Sequence, residues 1–77
     1  MSVYKVITVI GSSPDSWEKA AANAIEAASD TLEDLRVAEV ELLDVRLDNG
    51  IIVEYRARLK VSFKYHEELK DNVEENG

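Results

Sequence analysis

The longest regular pattern in the sequence is an alternation of apolar and polar residues from Ile51 to Tyr65. One phase is apolar throughout and consists of Ile51, Val53, Tyr55, Ala57, Leu59, Val61, Phe63 and Tyr65. After Ile52 the other phase is polar and consists of Glu54, Arg56, Arg58, Lys60, Ser62 and Lys64. A period of two residues predicts an antiparallel strand with one buried face.

The predicted strand is long for a small protein. At about 3.3 Å per residue it would be about 50 Å long. A compact domain of 77 residues has a radius of gyration of about 11 Å and a diameter of about 30 Å. The strand must therefore curl around something or extend beyond its own subunit onto a neighbouring copy. This geometry predicts an assembly.

A strand and a helix are predicted before it. Residues 3–11 are β-branched and apolar on both phases, so we expect a strand inside the sheet or against a partner. Ser13 is the predicted N-cap of the helix, with Pro14 at the first helical position. The helix is predicted from about residue 13 to residues 29–32. Its apolar stripe, at spacings of three and four, consists of Trp17, Ala21, Ala24, Ile25, Ala28 and Leu32.

Residues 36–48 predict another strand, in which the apolar phase slips. The apolar positions change face, from Ala38, Val40 and Leu42 to Leu43, Val45 and Leu47. This change predicts a β-bulge between Leu42 and Leu43. A three-residue turn with Gly50 left-handed would pair Leu47 with Ile51 and keep one face apolar. The predicted fold class is α+β: a β-α-β-β unit whose three-stranded antiparallel sheet wraps around one helix.

Composition also favours oligomerisation. A single core in a chain this short supplies only about 3–5 kcal/mol of stability. The sequence has no cysteine for a disulfide, and its one histidine cannot build a zinc site. Self-association is therefore the expected source of extra stability. We read no signal peptide and no transmembrane span, and expect a cytoplasmic protein.

The net charge is −7, with an acidic C-terminal tail. Residues 67–77 contain five acidic side chains and one lysine, and we interpret them as a solvating end or a short helix. An acidic chain without a basic patch is not expected to bind nucleic acid or an anionic membrane. No nucleophile–base pair, phosphate-binding glycine loop or calcium-binding loop can be read from the spacings, so no enzyme is predicted.

The polar face of the last strand is the candidate site. If the strands pair as predicted, a set of charged residues projects together there, beside Arg46 and Glu39 of the neighbouring strand. The set consists of Glu54, Arg56, Arg58, Lys60 and Lys64. One interpretation is a salt-bridge surface between subunits. The other is a cationic lining for an anionic ligand, because arginine side chains can hold phosphate or carboxylate with two hydrogen bonds.

Several blocks together resemble the dodecin family. These are VYKVI, G-S-S-P-x-S-W-E-x-A-A, A-x-x-A-I-x-x-A, T-L-x-x-L-R-V-A-E-V and Y-R-A-R-L-K-V-S-F-K. The resemblance implies a dodecin-like domain over residues 1–66, followed by the acidic tail at 67–77. It also implies a homododecamer, a hollow shell that binds and stores a small ligand between subunits.

The resemblance also places a flavin site. A tryptophan that stacks on the flavin ring corresponds here to Val37, and a glutamine that bonds the ring edge corresponds to Arg56. Valine has no π-face and arginine has no acceptor, so binding of FMN or riboflavin should be weakened or lost. A coenzyme-A-like anion is the other organic ligand. The alternative is a calcium-binding or purely structural assembly, with unknown metal ligands. The predicted ligand-binding residues are Val37, Glu39, Arg46, Arg56, Arg58 and Lys64.

Overall fold

The computed structural model describes residues 2–65, which form one helix and three strands. The elements are β1 (Val3–Ser13), α1 (Trp17–Ser29), β2 (Leu35–Asp48) and β3 (Ile51–Tyr65). The sheet is antiparallel with strand order β1-β3-β2, so the alternating strand is central. The predicted β-α-β-β fold is confirmed. The interpretation of residues 67–77 as a solvating end or a short helix lies outside the described residues, and the domain boundary stays a prediction.

The core lies between α1 and one face of β3. It consists of buried small and aliphatic side chains: Ala20, Ala24, Ala28, Ala57, Leu59 and Val61. Alanines on the helix allow close approach to the sheet, and at Gly11 the approach is closest. A side chain there would collide with the backbone oxygen of Ala20 and the Cβ of Ala24. Gly11 is therefore required by packing.

The helix begins later than the sequence predicts. Its N-cap is Ser16, whose hydroxyl accepts a hydrogen bond from the Lys19 amide at 3.0 Å. Ser13 is instead the last residue of β1, where it pairs with Tyr55. Its buried hydroxyl accepts from the Asp15 amide at 3.0 Å. The predicted N-cap was wrong because strand pairing holds residue 13, and Pro14 precedes the helix.

Four of the six predicted stripe residues lie in or against the core, but the fully buried row begins at a residue outside the predicted stripe. Ala20 was not predicted to be buried, yet it is fully inaccessible to solvent, and Ala24 and Ala28 continue its row at a spacing of four. Trp17 lies at the edge of this row and is partly exposed. Leu32 falls beyond the end of the helix.

The first strand does not lie inside the sheet. β1 is an edge strand, and its residues alternate between the helix side and the opposite side. Ile7 and Val9 pack against the core, whereas Tyr4, Val6 and Ile10 are exposed. The expectation of an interior strand was therefore wrong. The alternative, that its apolar exposed phase lies against a partner, stays a prediction.

The predicted β-bulge exists, but it lies nearer the start of β2. The register shifts between Val40 and Leu42, so Glu41 is the extra residue. Leu42 consequently pairs with Arg58 on the face away from the helix, although the sequence placed it with Val40. A further shift between Leu35 and Val37 adds curvature to the start of the strand.

The β2–β3 turn has two residues rather than three. Asp48 pairs with Ile51, and both Asn49 (φ 53°) and Gly50 (φ 76°) are left-handed. Positive φ at both positions is typical of the type I′ turn that asparagine–glycine favours. A two-residue turn would by itself pair apolar with polar positions of the two strands, and another register shift, between Arg46 and Leu47, corrects this mismatch. Apolar residues of the two strands are thereby opposite each other again at Val45 and Tyr55.

The subunit is elongated. Its principal extents are 58 × 21 × 14 Å and its radius of gyration is 16.4 Å, against about 11 Å for a compact chain of this length. The long hairpin of β2 and β3 therefore extends outwards rather than closing on itself. No helix within residues 2–65 is both long and apolar enough to cross a membrane. The cytoplasmic location stays a prediction.

Candidate functional site

The six predicted ligand-binding residues all lie on β2 and β3. We call the side of the sheet opposite α1 the outer face. Arg56, Arg58 and Lys64 alternate with the buried residues of β3 and so belong to this face. Their partners in register include Asp44 for Arg56, Leu42 for Arg58 and Tyr4 for Lys64.

The remaining predicted residues are spread along the same strands. Val37 pairs with Ser62, Glu39 with Lys60, and Arg46 with Glu54. Ten residues separate Glu54 from Lys64, which corresponds to roughly 33 Å along an extended strand. The structure therefore brings Arg56 and Arg58 together, but it does not gather all six residues into one pocket of a single subunit.

Most cations of the outer face are already paired within the subunit. Arg56 donates from Nε to Oδ1 of Asp44 at 2.7 Å and from Nη2 to Oδ2 at 2.9 Å. Arg46 Nε donates to Glu54 Oε1 at 2.9 Å, and Lys60 Nζ lies 3.3 Å from Glu41 Oε2. The salt-bridge surface that the sequence suggested between subunits thus forms, at least in these pairs, between adjacent strands of one subunit.

The Asp44–Arg56 pair dominates the local electrostatics. The hydrogen bonds from Arg56 are the main reason that the pKa of Asp44 lies below its ordinary value, and the charges of Arg56 and Arg58 act in the same direction. The pKa of Arg56 is raised, chiefly by its hydrogen bonds to Asp44. Both groups are therefore charged at neutral pH. Asp44 was not among the predicted site residues, because only the strand register places it opposite Arg56.

Arg58 and Glu39 differ from these paired groups. Neither side chain forms an ion pair with another residue in the described part of the chain. Arg58 lies two residues along β3 from Arg56, and its charge reaches Asp44. Glu39 is exposed on the edge strand β2, opposite Lys60, whose ammonium group is bound to Glu41. Val37 is 62% exposed and contributes no ring to this surface.

Trp17 fixes the backbone of Asp44 from the helix side. The indole Nε1 donates a hydrogen bond to the Asp44 carbonyl oxygen at 3.0 Å. The indole also packs edge-on against Tyr55, with ring centroids 5.1 Å apart and planes at 74°. As the sequence predicted, Trp17 packs on the sheet. It leaves the outer face without a tryptophan ring.

An apolar groove lies between the start of α1 and the helix side of β2. Its volume is about 320 Å³, and it is lined by Trp17, Glu18, Ala21, Val40 and Leu43. Val40 and Leu43 remain about half exposed there, although residues from the start of α1 line the same groove. The groove is therefore an apolar surface on the helix side of the sheet, next to the core but not part of it.

The described residues of one subunit do not form a metal site by themselves. Residues 2–65 contain no group of three histidine, cysteine, aspartate or glutamate side chains that could hold one ion. On the outer face Glu41, Asp44 and Glu54 already bind cationic side chains. Within residues 2–65 of one subunit, the side chains therefore do not assemble the six to eight oxygen ligands that calcium usually takes.

These features define a class: a small β-α-β-β binding module with one helix on a long curved sheet. The dodecin family model matches residues 3–66, and the chain belongs to the dodecin family. It is 53% identical over 64 residues to the calcium dodecin of Mycobacterium tuberculosis, covering 83% of this chain and 90% of that protein.

Solved structures give the same assignment. The crystal structure of the Mycobacterium tuberculosis calcium dodecin superposes with a TM-score of 0.77 at 51% identity, covering 84% of this chain and 93% of that one. That protein is described as a calcium-chelating antigen with a novel calcium-binding site. A dodecin from Streptomyces davaonensis gives a TM-score of 0.80 at 32% identity, covering 84% and 96% of the two chains.

Proposed function

We propose that this chain is a non-enzymatic dodecin that assembles into a hollow dodecameric shell and binds calcium ions between its subunits. The observation that carries the calcium assignment is the 53% identity to a calcium dodecin over 83% of the chain. Two features of the subunit support other parts of the proposal, namely assembly and the absence of a flavin function. Large apolar side chains are exposed, and the positions corresponding to the flavin site hold residues unsuited to flavin.

Self-assembly is supported by the distribution of apolar surface. The following large apolar side chains are all more than one-third exposed: Tyr4, Val6, Ile10, Trp17, Val37, Val40, Leu42, Leu43, Leu47, Ile51 and Ile52. Among residues 2–65, Leu59 and Val61 are the only larger side chains that the core encloses fully. Extended apolar surface of this kind marks interaction sites in stable proteins. Neighbouring copies are the occupants we propose.

A flavin function is not proposed as the main one. Val37 cannot stack on a ring, and Arg56 binds the carboxylate of Asp44 with two of its donors. An isoalloxazine ring in this position would gain no aromatic partner from residue 37. It would also have to displace an ion pair of short, nearly optimal hydrogen bonds. FMN or riboflavin should therefore bind weakly or not at all.

Glu39 is our candidate calcium ligand among the predicted site residues. Its side chain is exposed on an edge strand and forms no ion pair within residues 2–65. An edge position allows the carboxylate to meet oxygens of a neighbouring copy. Repetition of the subunit around a symmetry axis would supply the several oxygens that calcium requires.

Calcium titration followed by thermal unfolding tests this function. We expect calcium to raise the melting temperature by several degrees, and magnesium at the same concentration to have a much smaller effect. Glu39→Gln should reduce the calcium effect while sedimentation shows an unchanged assembly. A calcium-insensitive melting curve, or a monomeric sedimentation coefficient, would contradict the proposal.

A second candidate function is binding of an anionic small molecule. It is favoured by Arg58, which forms no ion pair in the described part of the chain and lies beside Arg56. The ligand would be a coenzyme-A-like molecule or a flavin nucleotide held through its phosphates. Purification from a flavin-rich host, followed by a melting assay with calcium, discriminates between the two. A yellow preparation with quenched fluorescence supports anion binding, and a colourless one whose melting temperature rises with calcium supports the calcium assignment.

A further inference from the structure

On the outer face the carboxylate of Asp44 binds Arg56 in the geometry that a phosphate ligand would also adopt. Its two carboxylate oxygens accept from Nε and Nη2 of Arg56 at 2.7 and 2.9 Å. This is the side-on pairing with which a guanidinium group recognises two oxygens of a phosphate. The donors that would make Arg56 a phosphate ligand are therefore bound to a residue of its own chain.

The neighbouring positive charge strengthens this arrangement. Arg58 lies on the same face, and its charge contributes to the lowered pKa of Asp44. Without the carboxylate, two guanidinium groups two residues apart on one strand would face the same space. Such a pair would attract a doubly charged anion. With the carboxylate present, the strip carries one positive charge fewer and its best-oriented donors are occupied.

Asp44 is held in place on both sides of the sheet. Its backbone oxygen accepts the Trp17 indole hydrogen bond at 3.0 Å, and its strand pairs it directly with Arg56. The side chain therefore needs little ordering to reach Arg56. A free anion must give up translational freedom to do the same, so the internal carboxylate competes effectively.

We propose that Asp44 is the specificity-determining residue of the outer face, because it occupies Arg56 and so excludes phosphate-bearing ligands from a protein that otherwise has the donors to bind them. This inference rests on the proposed function, because it gives a physical reason to place calcium before a phosphate-bearing ligand. It predicts that one substitution converts the face into a phosphate site.

The test is the affinity of the full-length protein for inorganic phosphate at low salt, measured by phosphorus NMR. Asp44→Asn should bind phosphate about tenfold or more tightly than the parent protein, because both Arg56 donors become available. Glu54→Gln and Glu41→Gln are matched controls. Each adds the same single positive charge to the outer face but releases Arg46 or Lys60, which makes only one contact with its carboxylate.

Equal gains in all three variants would overturn the proposal, because a general charge effect would then explain the binding. The double variant Asp44→Asn with Arg56→Lys should lose the gain, since lysine keeps the charge but lacks two fixed parallel donors. Asp44→Ser is a second variant in case asparagine disturbs the strand pairing. If neither variant assembles, Asp44 is a structural residue and the proposal is wrong.

The same samples separate this inference from the proposed function. If calcium does not raise the melting temperature of the parent protein, calcium binding is contradicted, and this result does not depend on the phosphate measurements. A normal calcium response together with no specific phosphate gain in Asp44→Asn would leave the calcium assignment intact and reject the role of Asp44.

Discussion

The two faces of the sheet are stabilised by different interactions. On the helix side, Ala57 and Leu59 are packed against the alanines of α1 and are nearly inaccessible to solvent. On the outer face, charged side chains pair across β2 and β3 while remaining substantially exposed, as for Asp44 and Arg56 at 37% and 43%. Burial contributes far more per residue than exposed ion pairs do. The helix side therefore determines the subunit fold, and the ion pairs of the outer face contribute little to it.

The largest expected difference is in the free energy of unfolding, between substitutions at neighbouring residues on the two faces. Leu59→Ala should lower the free energy of unfolding by about 3 kcal/mol, because it removes a fully enclosed side chain and leaves a cavity. Arg58→Ala should change it by less than about 0.5 kcal/mol, because that side chain is exposed. Urea unfolding of both variants at one protein concentration measures the difference. Similar losses would contradict the division of roles between the faces.

The apolar groove beside the helix gives the next test. If a neighbouring copy covers it, Leu43→Asp places a charge in an interface without a partner, and assembly should weaken at least about tenfold. Leu43→Met keeps the apolar character and should assemble normally. Sedimentation over a range of concentrations measures both. An Asp variant that assembles as well as the Met variant would show that the groove lies outside the contacts between copies.

The central strand could be predicted in full from sequence because its period of two residues extends over its whole length. The helix start could not, because Ser13 and Ser16 are both good N-caps. The choice is made by the pairing of Ser13 with Tyr55, which is distant in sequence. The turn was uncertain for a similar reason. Asn49–Gly50 suits several loop lengths, and a compensating shift at Arg46–Leu47 is invisible locally.

The candidate site was predictable only as a set of cations. Alternation places Arg56 and Arg58 on one face without any knowledge of the fold. Their partners depend on how β2 aligns with β3, and the bulge at Glu41 decides that alignment. The sequence predicted the bulge between Leu42 and Leu43, and so placed Leu42 on the same face as Val40. In the structure Leu42 lies on the outer face instead. The pairing of Asp44 with Arg56 is thus a property of the sheet register.

Trp17 connects the two faces, and its hydrogen bond can be removed separately from its packing. Trp17→Phe should lose the bond to the Asp44 oxygen and cost about 1 kcal/mol, while an aromatic ring still contacts Tyr55. Thermal unfolding measures this cost. Tyr55→Phe is the matched control, because it keeps the ring contact and leaves the hydrogen bond in place. A loss in Trp17→Phe no greater than in Tyr55→Phe would mean that the hydrogen bond contributes nothing.

The smallest effect concerns pH. The pKa of Asp44 in the folded protein lies below its ordinary value of 3.8, first because of the hydrogen bonds from Arg56. The ionised carboxylate therefore stabilises the fold above the unfolded-state pKa, and this contribution is lost as the pH falls through the lower folded-state pKa. Melting temperatures of the parent protein and of Asp44→Asn, measured from neutral pH to below pH 3.8, should converge on the acid side. The change should be small because the pair is exposed. A constant difference across that range would mean that the exposed pair does not couple protonation to folding, and the outer face would then differ from the helix side even more than we infer.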